Sequence, residues 1–279
     1  MLIPLLFVGG LIWGALLALI AEVVPDAGGG GVSPSTCRTC EASLPTAALS
    51  PLRTRASVCE SCGQQISAAR LPTVIVTGVV FAGLGAVVGA RWQLIPILFF
   101  ASSLIALSAV DFMRFRLPDK LVFPSLYVGI ALVVIFGLAT GSFDHAIRGL
   151  AAMLGYSLLL LIPNLIMPTG LAFGDVKLGL LLGLFLGWVA DTGVDAARLV
   201  VWAFLLGMIL GVATGLLVGV GRRVIGHDFM PDPDYPIEEG DELVPLFKTQ
   251  MPFGPALAAA ALVMVAFGGN ILEASTILT

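Results

Sequence analysis

The chain has 279 residues, of which 58% are hydrophobic and only 11% charged, and its formal net charge is −4. Its mean hydropathy is +1.03. Soluble proteins are about a quarter charged, so this composition excludes an ordinary soluble domain and predicts a protein of the lipid bilayer. The sequence contains no basic patch of the kind that binds nucleic acid.

Uncharged runs recur along the whole chain. A helix needs about 20 apolar residues to cross the hydrocarbon core. Seven of the eight runs meet or approach that length, which predicts an all-α polytopic fold of about eight transmembrane helices. The sixth run meets it only if its helix begins near Gly174 and includes Asp175 and Lys177. The runs are Leu2–Ala21, Leu71–Ala90, Trp92–Val110, Leu121–Phe143, Gly149–Gly174, Leu178–Ala190, Leu199–Gly221 and Met251–Leu272.

The distribution of basic residues predicts the topology. With eight helices and the amino terminus outside, the inside segments hold 11 of the 14 Lys and Arg residues. The outside segments hold only Arg91, Arg148 and Arg198. Short loops rich in Lys and Arg stay in the cytoplasm, so this orientation is favoured.

Three regions follow from this topology. Residues 1–24 form the first transmembrane helix, and residues 25–70 form a cytoplasmic loop that contains all four cysteines. Residues 71–279 form the membrane core, which includes an acidic cytoplasmic loop over 222–250.

The four cysteines form two CxxC motifs, and 18 residues separate one motif from the other. Zinc prefers four soft ligands in a tetrahedron, and each CxxC brings two thiolates to one ion. Because thiols stay reduced in the cytoplasm, the pattern predicts a structural, ribbon-like zinc site. Two redox CxxC pairs or two disulfides are the alternatives. The cysteines are Cys37, Cys40, Cys59 and Cys62.

Two aspartates lie at the predicted cytoplasmic ends of apolar runs. Asp111 ends the third run, and Asp175 follows Gly174, which permits a close approach or a sharp turn of the backbone. Such carboxylates are costly in a membrane and usually mark functional sites. Asp111 could instead pair with Arg114, whereas a helix directs Lys177 away from Asp175.

Two carboxylates in a partly dry site favour a shared proton. One can then take a proton from water while the other protonates an amide carbonyl, which hydrolyses the amide without metal or covalent intermediate. Asp119 follows Pro118 and is expected in the first turn of the fourth helix, where it interacts favourably with the helix dipole.

Four segments, in chain order, resemble the type IV prepilin peptidases, which are membrane aspartic proteases of the GxGD class. They are QQISAARLP after the double CxxC, SAVDFMRFRLPDKLVFPSL around Asp111, FGDVKLGLLLGLFLGW around Asp175, and MPFGPA at the last helix. The resemblance covers nearly the whole chain.

This resemblance implies a bacterial inner-membrane hydrolase that cleaves the basic leader of prepilins or pseudopilins at the cytoplasmic face. Such enzymes serve type IV pili or type II secretion. Asp111 and Asp175 would be the catalytic pair, with Gly174, Asp119 and Lys177 supporting them. The partners would be the substrate, with its basic leader and apolar helix, and the lipid bilayer.

The chain also departs from the family pattern. The first glycine of GxGD is Ala172, which is small enough to be tolerated. Many members are bifunctional and also N-methylate the new amino terminus with S-adenosylmethionine. The family's asparagine, arginine and glutamate associated with that activity are here Ala18, Val23 and Ile75. A peptidase with a weak or absent methyltransferase function is therefore expected.

Two further alternatives come from other classes. The acids could form the proton relay of a transporter, or the chain could be a non-catalytic scaffold for a secretion machine. A transporter would show broken helices in two related halves, and only one short helix is predicted. Gly179, Gly183 and Gly187 could contact an apolar substrate helix or serve ordinary helix packing.

Overall fold

The computed structural model of the chain is helical across the membrane core. The structure describes residues 1–23, 70–114, 117–141, 143–166, 172–225 and 253–277, together with residues 40, 42, 57–58, 61–62 and 65–66. Predictions for the remaining positions, including the acidic loop over 222–250 beyond residue 225, lie outside the described residues.

Eight helices and one small hairpin make up the described part of the chain, which confirms the all-α polytopic fold. Six helices, α1 to α5 and α7, are long and apolar enough to cross a membrane, so the chain is a multi-pass membrane protein. The helices are α1 Leu2–Val23, α2 Arg70–Val88, α3 Leu94–Arg114, α4 Asp119–Thr140, α5 Asp144–Ile166, α6 Phe173–Val189, α7 Gly193–Ile225 and α8 Gly254–Ile277. Strands β1 Ser57–Val58 and β2 Gln65–Ile66 pair antiparallel.

Helix α6 lies at the centre of the bundle, in contact with α4, α5, α7 and α8. It starts at Phe173, as the need to include Asp175 predicted, and its 17 residues span about 26 Å. Most of its side chains are buried, as expected for a helix that is apolar on all sides. Phe185 of α6 stacks on Phe100 of α3, with ring centroids 4.5 Å apart.

Glycines on α6 allow α5 to approach very closely. A Cβ at Gly183 would lie 2.8 Å from the carbonyl carbon of Ala152, and one at Gly179 would lie 3.2 Å from Tyr156. Gly187 faces Ala152 and the backbone of Arg148 in the same way. These glycines are therefore used for packing against α5, which confirms the helix-packing interpretation over the substrate-contact alternative.

Helices α1 and α2 form a hairpin against α3. Gly10 and Gly14 of α1 lie against the backbone and side chain of Thr77 on α2. The indole Nε1 of Trp13 donates a hydrogen bond of 3.0 Å to Ser102 Oγ on α3. This bond joins the hairpin to the rest of the bundle.

Polar contacts show which helix ends lie together. His145 Nδ1, at the start of α5, lies 3.0 Å from the carbonyl oxygen of Trp188 at the end of α6. At the other end of the bundle, the carboxyl end of α3 meets the amino ends of α4, α6 and α8. We call this the aspartate end, because it contains Asp111, Asp119 and Asp175.

Candidate active site

Asp111 lies in the last turn of α3 and is 5% exposed. A carboxylate is poorly placed at the carboxyl end of a helix, where the dipole is negative. The backbone amide of Gly254, the first residue of α8, donates a hydrogen bond of 3.2 Å to Asp111 Oδ2. The amino end of α8 therefore supplies a donor that α3 cannot provide.

Asp175 lies in the first turn of α6 and is 4% exposed. Ala172 is the N-cap of this helix, and its carbonyl oxygen accepts a hydrogen bond of 2.9 Å from the Asp175 amide. The positive end of the helix dipole is favourable for an acidic side chain at this position. The short charge-tipped helix thus holds Asp175 inside the bundle rather than on its surface.

The two acids lie at the aspartate end, where Gly174, the residue before Asp175, packs closely against Leu117, just beyond the end of α3. They are the only charged side chains that are buried among the residues that the structure describes. An isolated buried charge is costly, and two adjacent carboxylates are more so, which favours a shared proton. This juxtaposition of the ends of α3 and α6 is the arrangement that the sequence predicted.

Asp119 and Lys177 form an ion pair between the first turns of α4 and α6. Lys177 Nζ lies 2.5 Å from Asp119 Oδ1, and it also lies 5.7 Å and 5.2 Å from the ring centroids of Phe123 and Phe173. Lys177 does not pair with Asp175, as expected. The prediction that Asp119 occupies the first turn of α4 is confirmed; its pairing with Lys177 had no local sequence signal.

The two small residues before Asp175 have different roles. A Cβ at Gly174 would lie 3.1 Å from Leu117 Cβ, so Gly174 permits a close approach. It has no positive φ, so the alternative of a sharp turn is wrong. Ala172 has φ −74° and ψ 143°, a conformation open to any L residue, which explains why alanine can replace the family's first glycine.

The candidate zinc ligands are only partly described. Cys40 and Cys62 are exposed, whereas Cys37 and Cys59 lie outside the described residues. The second CxxC motif falls between β1 and β2, which pair with Ser57 opposite Ile66. A hairpin that carries a CxxC turn is compatible with the predicted thiolate set, and the four-cysteine site stays a prediction.

Two contacts of Asp111 need separate comment, because the structure leaves one predicted contact undescribed and shows one that was not predicted. The Asp111–Arg114 ion pair falls outside the description, because the Arg114 side chain is not described. The Gly254–Asp111 hydrogen bond was missed. The proline after Gly254 marks a helix start, and that signal places the amide at a helix terminus without indicating its partner.

The fold and the site define a polytopic membrane protein with a buried pair of acids at one end of its bundle. The model of the "Type IV leader peptidase family" matches residues 98–220, a range that contains both Asp111 and Asp175. No solved structure matches the chain.

Curated relatives extend the similarity beyond that range, and all three cited here are named prepilin leader peptidase/N-methyltransferase. The Pseudomonas putida protein is 32% identical over 82% of this chain and 68% of its own length. The Myxococcus xanthus protein is 29% identical over 94% of this chain and 89% of its own length. The Bacillus subtilis protein is 24% identical over 98% and 97%. This chain belongs to the type IV leader peptidase family, and it is a peptidase.

Proposed function

We propose that this protein removes the leader peptide of a prepilin or pseudopilin, with Asp111 and Asp175 as the catalytic residues. The observation that carries the proposal is the pair of buried carboxylates at the aspartate end of a membrane bundle. The printed names of the relatives supply the substrate class.

The chemistry requires one carboxylate and one carboxylic acid. The ionised aspartate takes a proton from a water molecule, and the water oxygen bonds to the carbonyl carbon of the scissile peptide. The protonated aspartate gives its proton to the carbonyl oxygen, which forms a tetrahedral diol. The first aspartate then gives the proton that it took from water to the amide nitrogen, the second aspartate recovers a proton from a hydroxyl of the diol, and the C–N bond breaks. The products are a leader with a new carboxyl group and a mature protein with a free amine.

The surroundings of the pair support this assignment. Because the two carboxyl groups are buried, ionising both of them together is costly. One therefore stays protonated as the acid while the other is ionised as the base. The Asp119–Lys177 ion pair holds the first turns of α4 and α6 together, two residues from Asp175. We infer that Gly174, Asp119 and Lys177 act as supporting residues in this way.

The orientation follows from the basic residues. The aspartate end is the end at which 11 of the 14 Lys and Arg residues are expected, so we place it on the cytoplasmic face of a bacterial inner membrane. The amino terminus would then be outside. A substrate's apolar helix would pack in the bilayer against the bundle while its basic leader stays at that face. The acidic residues of loop 222–250 would attract the leader.

A structural zinc ion is proposed for the loop over 25–70. Cys37, Cys40, Cys59 and Cys62 would hold it, and a set of four thiolates leaves no open coordination position for catalysis. The ion would stabilise the fold of the loop, and no step of the peptide hydrolysis depends on it.

N-methylation of the new amino terminus is a second candidate function, because the relatives' printed names include that activity. The polar positions associated with it in the resemblance are apolar here. Ala18 is 3% exposed and Ile75 is 47% exposed, and neither carries a group that could bind or orient S-adenosylmethionine through a polar contact. We therefore favour peptidase activity alone, or with a weak relict of methylation.

The experiment uses purified full-length protein, a prepilin substrate, and mass spectrometry of the products with and without S-adenosylmethionine. Asp111→Asn and Asp175→Asn should each abolish cleavage while the protein stays folded. Asp191→Asn is the matched control, because Asp191 is exposed beyond the opposite end of α6. Full cleavage by either buried-site variant would refute the assignment of that aspartate as a catalytic residue. A product heavier by one methyl group only with S-adenosylmethionine would establish the second activity.

A further inference from the structure

Gly254 makes an unusually direct contact with the candidate catalytic pair. Its amide donates to Asp111 Oδ2 across 143 residues of sequence, and the bond is buried. Among the described residues, no other hydrogen bond of the Asp111 carboxyl group accompanies it. The described hydrogen bond that orients this carboxyl group thus comes from α8.

Glycine at this position matters because of space and not because of backbone conformation. The positive-φ glycines of the described chain are Gly89 and Gly141, so Gly254 has a backbone that other residues can adopt. A Cβ built on Gly254, however, would lie 2.7 Å from Asp111 Oδ2. Any side chain would displace the carboxylate from the amide that holds it.

The start of α8 is itself fixed in place. The carbonyl oxygen of Phe253 accepts hydrogen bonds of 3.1 Å from the Ala256 amide and 3.2 Å from the Leu257 amide. The Phe253 ring fills the space left by Gly211 on α7, where a Cβ would meet the ring atoms. Helix α7 thus positions Phe253, and Phe253 positions the next amide along the chain.

We propose that Gly254 is a positioning residue for peptide hydrolysis, which acts by holding Asp111 Oδ2 and so fixing the orientation of the carboxyl group that shares a proton with Asp175. This inference rests on the proposed function, because it assigns a task to the same acid pair. The donated bond also compensates for the unfavourable dipole at the end of α3.

The test compares two glycine-to-alanine variants of the same helix in the full-length protein. Gly254→Ala should lower kcat about 100-fold, the usual scale for a small misplacement of a catalytic group. KM should change by less than about twofold, since substrate contacts stay intact. Gly268→Ala is the control, because Gly268 is also buried and its Cβ would meet the movable Leu199 Cδ2 at 2.5 Å. Gly268→Ala should keep the wild-type kcat.

A second measurement tests the contact without any catalytic readout. In an Asp111→Ala background the carboxylate oxygen is gone, so Gly254→Ala should lower the melting temperature less than it does in the wild-type background. If Gly254→Ala fails to fold, the double variant should still fold. An equal loss of melting temperature in both backgrounds would overturn the contact.

The outcomes separate this inference from the proposed function. Wild-type kcat in Gly254→Ala, or a loss shared equally by Gly268→Ala, would overturn the positioning role while Asp111→Asn remains inactive. Cleavage by Asp111→Asn would instead refute the catalytic assignment. The coupling of melting temperatures between positions 254 and 111 would then still report the contact.

Discussion

Replacing Gly183 with alanine should separate α5 from α6 and destabilise the protein. The new Cβ would lie 2.8 Å from both the carbonyl carbon of Ala152 and the Cα of Met153. These are backbone atoms of α5, so no side-chain rotation relieves the overlap and the helices must move apart. Such overpacking costs about 1–3 kcal/mol, and the rigid backbone places this site toward the upper end of that range.

Gly155→Ala provides the matched comparison. Gly155 is a helical glycine on α5, and a Cβ there would meet nothing within 4 Å. It should therefore show only the gain in helix propensity, about 1 kcal/mol relative to glycine. The two variants carry the same chemical change. Their free energies of unfolding should therefore differ by the overpacking cost at Gly183, about 1–3 kcal/mol.

The assay is denaturant-induced unfolding of the purified protein in detergent, followed by tryptophan fluorescence. Peptide cleavage should fall with stability in Gly183→Ala, because α5 also supports the region beside Asp175: Ser157 Oγ donates 3.0 Å to the carbonyl oxygen of Val176. Equal stability of the two variants would refute the close approach of α5 and α6.

Three other expectations follow from the described contacts. Asp119→Lys and Lys177→Asp should each slow cleavage, and the double exchange should restore part of it, since a partly exposed ion pair is worth about 0.2–1 kcal/mol. Trp13→Phe and Ser102→Ala should each cost about 0.6 kcal/mol, the average for such hydrogen bonds in membranes, and the double variant should cost no more than either. Metal analysis of the purified protein should find zinc. The Cys40→Ser variant should contain less zinc, and the structure around the two acids should stay the same.

Each expectation has a contradicting result. If the Asp119→Lys/Lys177→Asp double variant cleaves as slowly as the slower single variant, the Asp119–Lys177 contact does not support Asp175. Additive losses from Trp13→Phe and Ser102→Ala would show that the two side chains act separately. Unchanged zinc content in Cys40→Ser, measured against an Asp111→Asn control, would remove that cysteine from the ligand set.

The hydropathy pattern predicted the elements well because charge interrupts it at informative places. Asp175 and Lys177 stand out at the edge of the sixth run, and the cost of a buried carboxylate marked Asp111 and Asp175 as functional candidates. Pro118 marked the boundary between α3 and α4, and the structure places Pro118 as the N-cap of α4. These signals are local, so one sequence is enough to detect them.

The start of α7 was missed although a signal for it exists. The seventh run was predicted from Leu199, whereas α7 begins at Gly193. Thr192 Oγ1 accepts a hydrogen bond of 3.1 Å from the Asp195 amide and donates one of 2.6 Å to Asp195 Oδ2. Thr192 and Asp195 have the spacing of a capping box, so this start was readable from the sequence.

Contacts between distant elements could not be read in the same way. The Asp119–Lys177 pair spans 58 residues and the Gly254–Asp111 bond spans 143. Neither partner carries information about the other, because the contact depends on which helix ends the bundle brings together. The proximity of Asp111 and Asp175 was predicted only through the chemistry that two such acids would support.

Crosslinking tests the central claim, the proximity of the two acids, most directly. Asp111→Cys combined with Asp175→Cys should give an intramolecular crosslink with a short bifunctional thiol reagent, identified by mass spectrometry of the joined peptides. Asp111→Cys combined with Asp191→Cys is the control, because Asp191 lies beyond the far end of α6, about 26 Å along the helix. The account predicts a crosslink in the first variant and none in the second. Failure to crosslink positions 111 and 175 in the folded protein would contradict it.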